Sequence, residues 1–167
     1  MRFLVLSDTH VSAGKVRKAL DAVEPFLARV DGVLHAGDIV CPELLDALRE
    51  RVPRVEAVAG NMDPDELRSE LGERRVLEFE GKRVGLIHGW GAPGDLPRRV
   101  REAFLGEDGR PGVELVVFGH SHRALWERAG DVWLLNPGSP TDRFFAPFRS
   151  VALLEIGSEI QAEIVRL

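Results

Sequence analysis

The sequence predicts an α/β domain, with a mixed sheet or a second sheet packed on the first. Three observations carry this. In the first half, short apolar runs alternate with helical patterns and end at Gly or Asp loops. In the second half, hairpin signals replace that alternation. The chain has 167 residues, 44% hydrophobic and 29% charged, enough for one globular domain with a sizeable core.

The elements follow in order. Arg2–Leu6 is a short apolar run that suits a buried strand. Ser7–Gly14 is polar and reads as a loop. Lys15–Val30 carries Val16, Ala19, Leu20, Val23, Phe26 and Leu27 at helical spacing, with Pro25 as a point of kinking. Gly32–His35 is a second strand, closed by Ala36-Gly37-Asp38. Pro42–Arg51 reads as a helix with proline in its first turn. Arg54–Ala59 is a third strand, and Gly60–Pro64 a loop. Arg75–Glu80 and Arg83–His88 flank Gly81-Lys82 as a hairpin. Leu96–Leu105 reads as a helix and Glu114–Phe118 as a buried strand. Arg123–Arg128 pairs with Val132–Leu135, and Val151–Ile156 with Glu159–Val165. Residues 1–167 thus make a single domain, with no repeat or linker.

Composition narrows the function. A net charge of -5 argues against a general nucleic-acid coat, so no stable nucleic-acid binding is expected. No apolar run approaches the roughly 20 residues of a membrane span. The N-terminus lacks a signal-peptide pattern, and the lone Cys41 fits a reducing compartment, so a cytoplasmic location is expected. Five histidines and two asparagines are present, and lysine occurs only at 15, 18 and 82.

The scarce residues share an address. Asp8 and His10 follow the first strand, Asp38 the second and Asn61 the third. His88 closes the strand of the first hairpin, and His120 and His122 follow Glu114–Phe118. In an open α/β sheet, positions just past the carboxyl ends of strands gather at one edge, where ligands bind. Singly, each has an ordinary reading: Asp and Asn shape turns, and a lone His satisfies a local hydrogen bond. Jointly, two Asp, one Asn and four His at one rim read as a metal site. Carboxylate, imidazole and amide oxygen suit manganese, iron, zinc or nickel, and the missing thiolates argue against structural zinc. The i,i+2 spacings of Asp8/His10 and His120/His122 suit two neighbouring metals. A carboxylate is the natural bridge, and Asp38 is placed to be one. Two divalent ions outweigh the carboxylates and a bridging hydroxide, so the site is locally positive and suits an anionic ester.

Asp8-Thr9-His10, Gly37-Asp38, Gly60-Asn61, His88-Gly89 and Gly119-His120-Ser121-His122 resemble the ordered motifs of calcineurin-like metallophosphoesterases. The likeness runs from residue 7 to about 140. The short chain and Asn136-Pro137-Gly138-Ser139 are similar to the small bacterial and archaeal phosphodiesterase branch, which also includes the metal-poor scaffold subunit of the eukaryotic retromer. The resemblance implies two mixed β-sheets packed as a sandwich with helices on the outer faces. It implies one metal at Asp8, His10, Asp38 and His122, and a second at Asp38, Asn61, His88 and His120. Two divalent transition-metal ions, manganese first, would sit about 3.5–4 Å apart and share a hydroxide that attacks phosphorus in line. Asp38, Asn61 and His88 would position hydroxide and phosphate, with Asn61, His88 and Trp90 contacting a small phosphate-ester substrate. The alternatives it carries are a non-catalytic interaction scaffold, or a phosphatase on monoesters or dinucleoside polyphosphates.

One position departs from the larger relatives, which place His after Gly-Asn as a leaving-group acid. Here it is Met62, followed by Asp63, and a thioether gives no proton. His35 is either a supporting partner of the site or a structural hydrogen-bonding residue. Phe144–Phe148 suggests packing across the sheet, a substrate wall or a subunit contact in a homo-oligomer. Arg123, Arg143 and Arg149 read as solvated arginines or phosphate contacts, Asn136 as a turn residue, Cys41 as packed, and Trp126 and Trp133 as hairpin residues.

Overall fold

A computed structural model describes Met1–Leu167 as two five-stranded mixed sheets packed face to face, with helices outside. Five strands form the first sheet: β1 (Arg2–Leu6), β2 (Gly32–His35), β3 (Val55–Ala57), β9 (Ser150–Ile156) and β10 (Ile160–Arg166). Its order is β10-β9-β1-β2-β3, with β1, β2 and β3 parallel and β9 and β10 antiparallel. The second sheet holds β4 (Arg74–Phe79), β5 (Lys82–Ile87), β6 (Leu115–Val117), β7 (Leu125–Ala129) and β8 (Val132–Asn136). Its order is β4-β5-β6-β8-β7, with β5, β6 and β8 parallel. The helices are α1 (Val16–Leu27), α2 (Pro42–Arg49), α3 (Asp65–Leu71) and α4 (Leu96–Glu102).

Strand alternation explains the layers. In β1, Phe3 and Val5 point between the sheets, where they join Leu34, Val58, Leu86, Leu115 and Leu135 in one buried cluster. Leu4 and Leu6 point the other way, onto Leu20 and Val23 of α1 and Leu45 and Leu48 of α2. Both faces are therefore apolar, as a covered parallel strand requires. A third cluster places Leu96 and Val100 of α4 with Val116 of β6 and Leu134 of β8. Trp126 and Trp133 stack across the β7–β8 hairpin with ring centroids 4.4 Å apart.

Several expected boundaries move. Helix α1 is shorter than Lys15–Val30, because Ala13–Lys15 forms a 3-10 turn and Ala28 caps the other end, and it runs through Pro25. Helix α2 stops at Arg49 rather than Arg51, β3 spans only Val55–Ala57, and α4 stops at Glu102 instead of Leu105. Beyond Glu102, Leu105 bridges back to Pro111. The first hairpin turns at Glu80-Gly81, one residue earlier than expected. Helix α3 is an addition: its apolar positions are only the buried Leu67 and the half-buried Leu71, one turn apart and too few to mark a period. No helix is long and apolar enough to cross a membrane.

The intersheet cluster sets the main stability test. Phe3→Ala empties a fully buried site, and should lower unfolding free energy by about 3–5 kcal/mol. Phe144→Ala, at a side chain 91% exposed, should stay within about 0.5 kcal/mol of wild type. Urea unfolding of both variants checks this.

Candidate metal centre

Three parallel strands of each sheet end at one rim. The loop after β1 delivers Asp8 and His10, that after β2 Asp38, and that after β3 Asn61. The loop after β5 delivers His88, that after β6 His120 and His122, and that after β8 Ser139 and Asp142. Backbone hydrogen bonds tie the loops: the Asp8 amide donates to Gly37 O at 3.0 Å, His10 to Asp38 O at 3.0 Å, and Gly119 to His88 O at 3.0 Å.

The backbone carries strain where the candidate ligands sit. Seven non-glycine residues have positive φ, and five of them are Asp8 (53°), His10 (43°), Asp38 (55°), His120 (68°) and His122 (56°). Left-handed geometry costs a non-glycine residue about 1–2 kcal/mol, and such strain clusters at functional sites. Close approach adds to it. A side chain at Gly60 would fall on the Asp38 carboxylate, and one at Gly119 on Ser7 Oγ.

All seven candidate ligands meet. Asp8 and Asp38 are 0% and 3% exposed. Asp8, His10 and His122 form one group of close ligand atoms; Asp8, Asp38 and His88 form a second, and in each the atoms lie within 4.8 Å of one another. Asp38 Oδ2 is 3.4 Å from both His10 Nε2 and His88 Nε2, so it touches both groups. Asp8 does so too: its Oδ1 is 3.3 Å from His122 Nε2 and 3.9 Å from His88 Nε2. Asn61 Oδ1 lies 3.1 Å from His88 Nε2 and 3.0 Å from His120 Nδ1. His120 Nε2 turns away and donates to Gly91 O at 3.0 Å.

Outer hydrogen bonds aim the imidazoles. His88 Nδ1 donates to Ala36 O at 2.7 Å, and His122 Nδ1 to Asp142 Oδ2 at 2.6 Å. Each ring thereby turns Nε2 inward. His10 Nε2 and His122 Nε2 face each other at 3.4 Å. Inward-facing imidazole nitrogens among two buried carboxylates and an amide oxygen are a donor set that fits divalent transition-metal ions. In the metal-free chain, protons answer the same field. Hydrogen bonding to Asp8, opposed by burial and helped by Asp142, raises His122 to about 9. His88 is raised as well: burial pulls it down, but Asp38 and Asp8 outweigh that. Burial pushes the Asp38 carboxyl up, while His88 and the Met62 amide hold it below its usual range on balance.

His35 holds the loops that carry Asp8, His10 and Asp38 through structural hydrogen bonds. Its Nδ1 accepts the Gly37 amide at 3.2 Å, its Nε2 donates to Thr9 Oγ1 at 3.1 Å, and Thr9 Oγ1 donates to Asp38 O at 3.3 Å. Full burial holds His35 neutral, with its pKa lowered to about 3. It fastens the β1 and β2 loops and faces no open site. Two other carboxylates, Asp63 and Asp142, take roles that the sequence does not signal. Asp63 is buried, and its carboxylate accepts the amides of Gly60 (2.7 Å), Asp38 (3.0 Å) and Val40 (2.6 Å). Asp142 accepts His122 and the amides of Phe144 and Ala146. Burial raises the Asp142 carboxyl, but these donors bring it down to about 2. The sequence carries only local turn signals: Asp63 before Pro64, and Ser139 three residues before Asp142, where Ser139 Oγ accepts the Asp142 amide at 3.0 Å. Asn136 does more than shape a turn, since Nδ2 donates to Gly119 O at 2.8 Å and so holds the His120–His122 loop.

Two grooves flank the centre. One, of about 450 Å³, opens beside His10 and His122; the other, of about 520 Å³, opens beside Asn61, His88 and Trp90. Trp90 is half exposed. Phe144 and Phe145 are 91% and 78% exposed, so they do not pack across the sheet.

Residues 1–159 match the family model of the calcineurin-like phosphoesterase superfamily domain. The chain belongs to this superfamily. It is 38% identical over 164 residues to a probable metallophosphoesterase of Methanothermobacter thermautotrophicus, covering 97% of this chain and 90% of that one. It is 23% identical over 150 residues to a phosphodiesterase of Methanocaldococcus jannaschii, covering 83% of each. Among solved structures, Vps29 of Entamoeba histolytica complexed with Zn²⁺ superposes with a TM-score of 0.69 at 26% identity, over 99% of both chains. The two-sheet sandwich that the resemblance implies is thus the fold of this superfamily member.

The His122 environment gives a pH prediction for the metal-free chain. The folded pKa of His122, about 9, lies above its ordinary 6.5. Its stabilisation should therefore be complete below about pH 6.5 and be lost as pH rises through about 9. Urea unfolding in chelator should show this loss in wild type and a flatter profile in His122→Gln.

Proposed function

We propose that this metallophosphoesterase is a phosphodiesterase working through a two-metal centre. The observation that carries the reading is the shared pair of buried carboxylates, Asp8 and Asp38, each within reach of imidazoles on both sides. Asp8, His10, Asp38 and His122 would hold one divalent ion, and Asp38, Asn61, His88 and His120 the other. Manganese is the first choice; iron, zinc and nickel suit the same donors. Bound there, the ions supply positive charge for the phosphoryl oxygens and an activated water for in-line attack.

The chain's own residues do the positioning. The His120 amide donates to both Asp8 oxygens at 3.2 and 3.0 Å, and the Met62 amide to Asp38 Oδ1 at 2.8 Å, so neither carboxylate swings. Asn61 and His88 line the second groove with Trp90, where an ester substituent would lie. Asp63 is no substitute proton donor for the position that Met62 fills. Its oxygens are buried and engaged by three backbone amides. A leaving group would therefore depart without a proton from this loop, which favours activated aryl diesters. Likeness to Vps29 supports a second reading, an interaction scaffold on the same fold. Because the Vps29 neighbour is complexed with Zn²⁺, metal occupancy does not separate the two readings; the scaffold predicts no diester hydrolysis by the metal-loaded protein.

Two experiments test the reading. Asp38→Asn should lower turnover of bis(p-nitrophenyl) phosphate by at least about 100-fold and reduce manganese occupancy; survival of both would remove Asp38 from the bridge. Across a leaving-group series, rates should fall steeply from nitrophenyl to alkyl diesters, and equal rates would show that a general acid operates.

A further inference from the structure

The groove beside His10 and His122 is lined by Lys15, Lys18, Arg143 and Arg149. Two of the three lysines in the chain stand here. None of the four cations is within ion-pair distance of a carboxylate. The single carboxylate in the lining is Asp142, already engaged by His122 and by backbone amides. Helix stability does not explain the lysines. Lys15 occupies the N-cap position of α1 without a side-chain capping bond and Lys18 sits in its first turn, with no acidic residue there. Cations at that end oppose the helix dipole. The opposite groove differs, since Arg68 pairs with Glu73 and Arg74 donates to Ala103 O. An acidic protein thus concentrates four unpaired cations on one side of its centre.

We propose that this groove is a second anion subsite, and that the substrate is an ester bearing a further phosphate besides the one at the centre. The inference rests on the proposed function for the placement of the first phosphate. The second phosphate extends past His10 and His122 and is held by the flexible Lys15 and Lys18 and by the planar forks of Arg143 and Arg149. Phe145 also lines the groove, 78% exposed and edge-on to His122 with ring centroids 6.3 Å apart. It offers an apolar wall to the portion linking the two phosphates.

The test measures binding without turnover. Alkane-α,ω-bisphosphonates of increasing chain length, and the matching monophosphonates, are titrated calorimetrically into the manganese-loaded protein. At the best length the bisphosphonate should bind at least about tenfold more tightly than its monophosphonate, and added salt should shrink the preference. The variant Lys15→Met/Lys18→Met/Arg143→Met/Arg149→Met should reduce it to about twofold or less. The single exposed substitution Lys18→Glu should weaken it in the same direction, should the fourfold variant not fold. No preference at any length, or one that survives these substitutions, overturns the subsite. Hydrolysis of bis(p-nitrophenyl) phosphate, which has no second phosphate, reads the proposed function separately: failure there with a retained bisphosphonate preference removes the phosphodiesterase reading alone.

Discussion

Two carboxylates buried beside each other, Asp8 and Asp38, set the terms for the rest of the molecule. Bringing like charges out of water is costly unless donors or cations answer them. The fold supplies both kinds of answer. Backbone amides of His120 and Met62 donate to the carboxylates from loops of opposite sheets. Imidazoles of His10, His88 and His122 face them from the open side. Those amides and rings reach the carboxylates only if the rims of both sheets meet, so packing the sandwich and assembling the centre are one requirement. Phe3 and Val5, pointing between the sheets two residues apart, serve this directly, because β1 carries both the intersheet core and, at its end, Asp8.

Support for the centre extends outward through a ring of neutral or engaged groups. Asp63 gathers three amides, His35 links Thr9 to Gly37, Asn136 holds Gly119, and Ser139 Oγ donates to Asp8 O at 2.7 Å. Each of these residues makes at least one hydrogen bond to backbone, directly or, for Thr9, through its hydroxyl, which restrains the loops without adding another inward-facing charge. This restraint is what positive φ at five candidate ligands requires. A loop free to relax would leave those conformations; a loop pinned at both ends does not.

The sequence made the strands and the rim legible because both rest on local signals. An apolar run followed by Gly-Asp, Gly-Asn or Gly-His marks a strand end without knowledge of its neighbours, and one after another such ends name Asp38, Asn61 and His120. Helix α3 left no comparable mark, since two leucines one turn apart, Leu67 and Leu71, are too short a pattern. Asp63 and Asp142 were hidden for a different reason. Each looks like an ordinary turn carboxylate, and its importance lies in what it meets: Asp38 and Val40 across 23–25 residues, and His122 across 20. Partners that far apart in sequence are joined only by the folded topology. The bridging role is similar. The motifs point to Asp38, whereas Asp8 also reaches both imidazole groups once β1 and β6 are side by side at the rim.

Net charge is where the whole and the part diverge most. At -5 the chain as a whole repels anions, yet screening confines that repulsion to roughly a Debye length of about 8–10 Å. Near the rim the relevant charges are local. Four unpaired cations border one groove, and a centre built of two carboxylates turns positive when two divalent ions occupy it. Some acidic residues elsewhere pair with arginines on the outer helices and strands, as in Arg49 with Asp46 and Glu70, and Arg98 with Asp95 and Glu102. Such exposed pairs contribute little to stability. They engage seven arginines, and none of the four cations lining the groove beside His10 is among them. An anion approaching this protein is repelled by most of its surface and attracted at the opening where the buried carboxylates wait for metal.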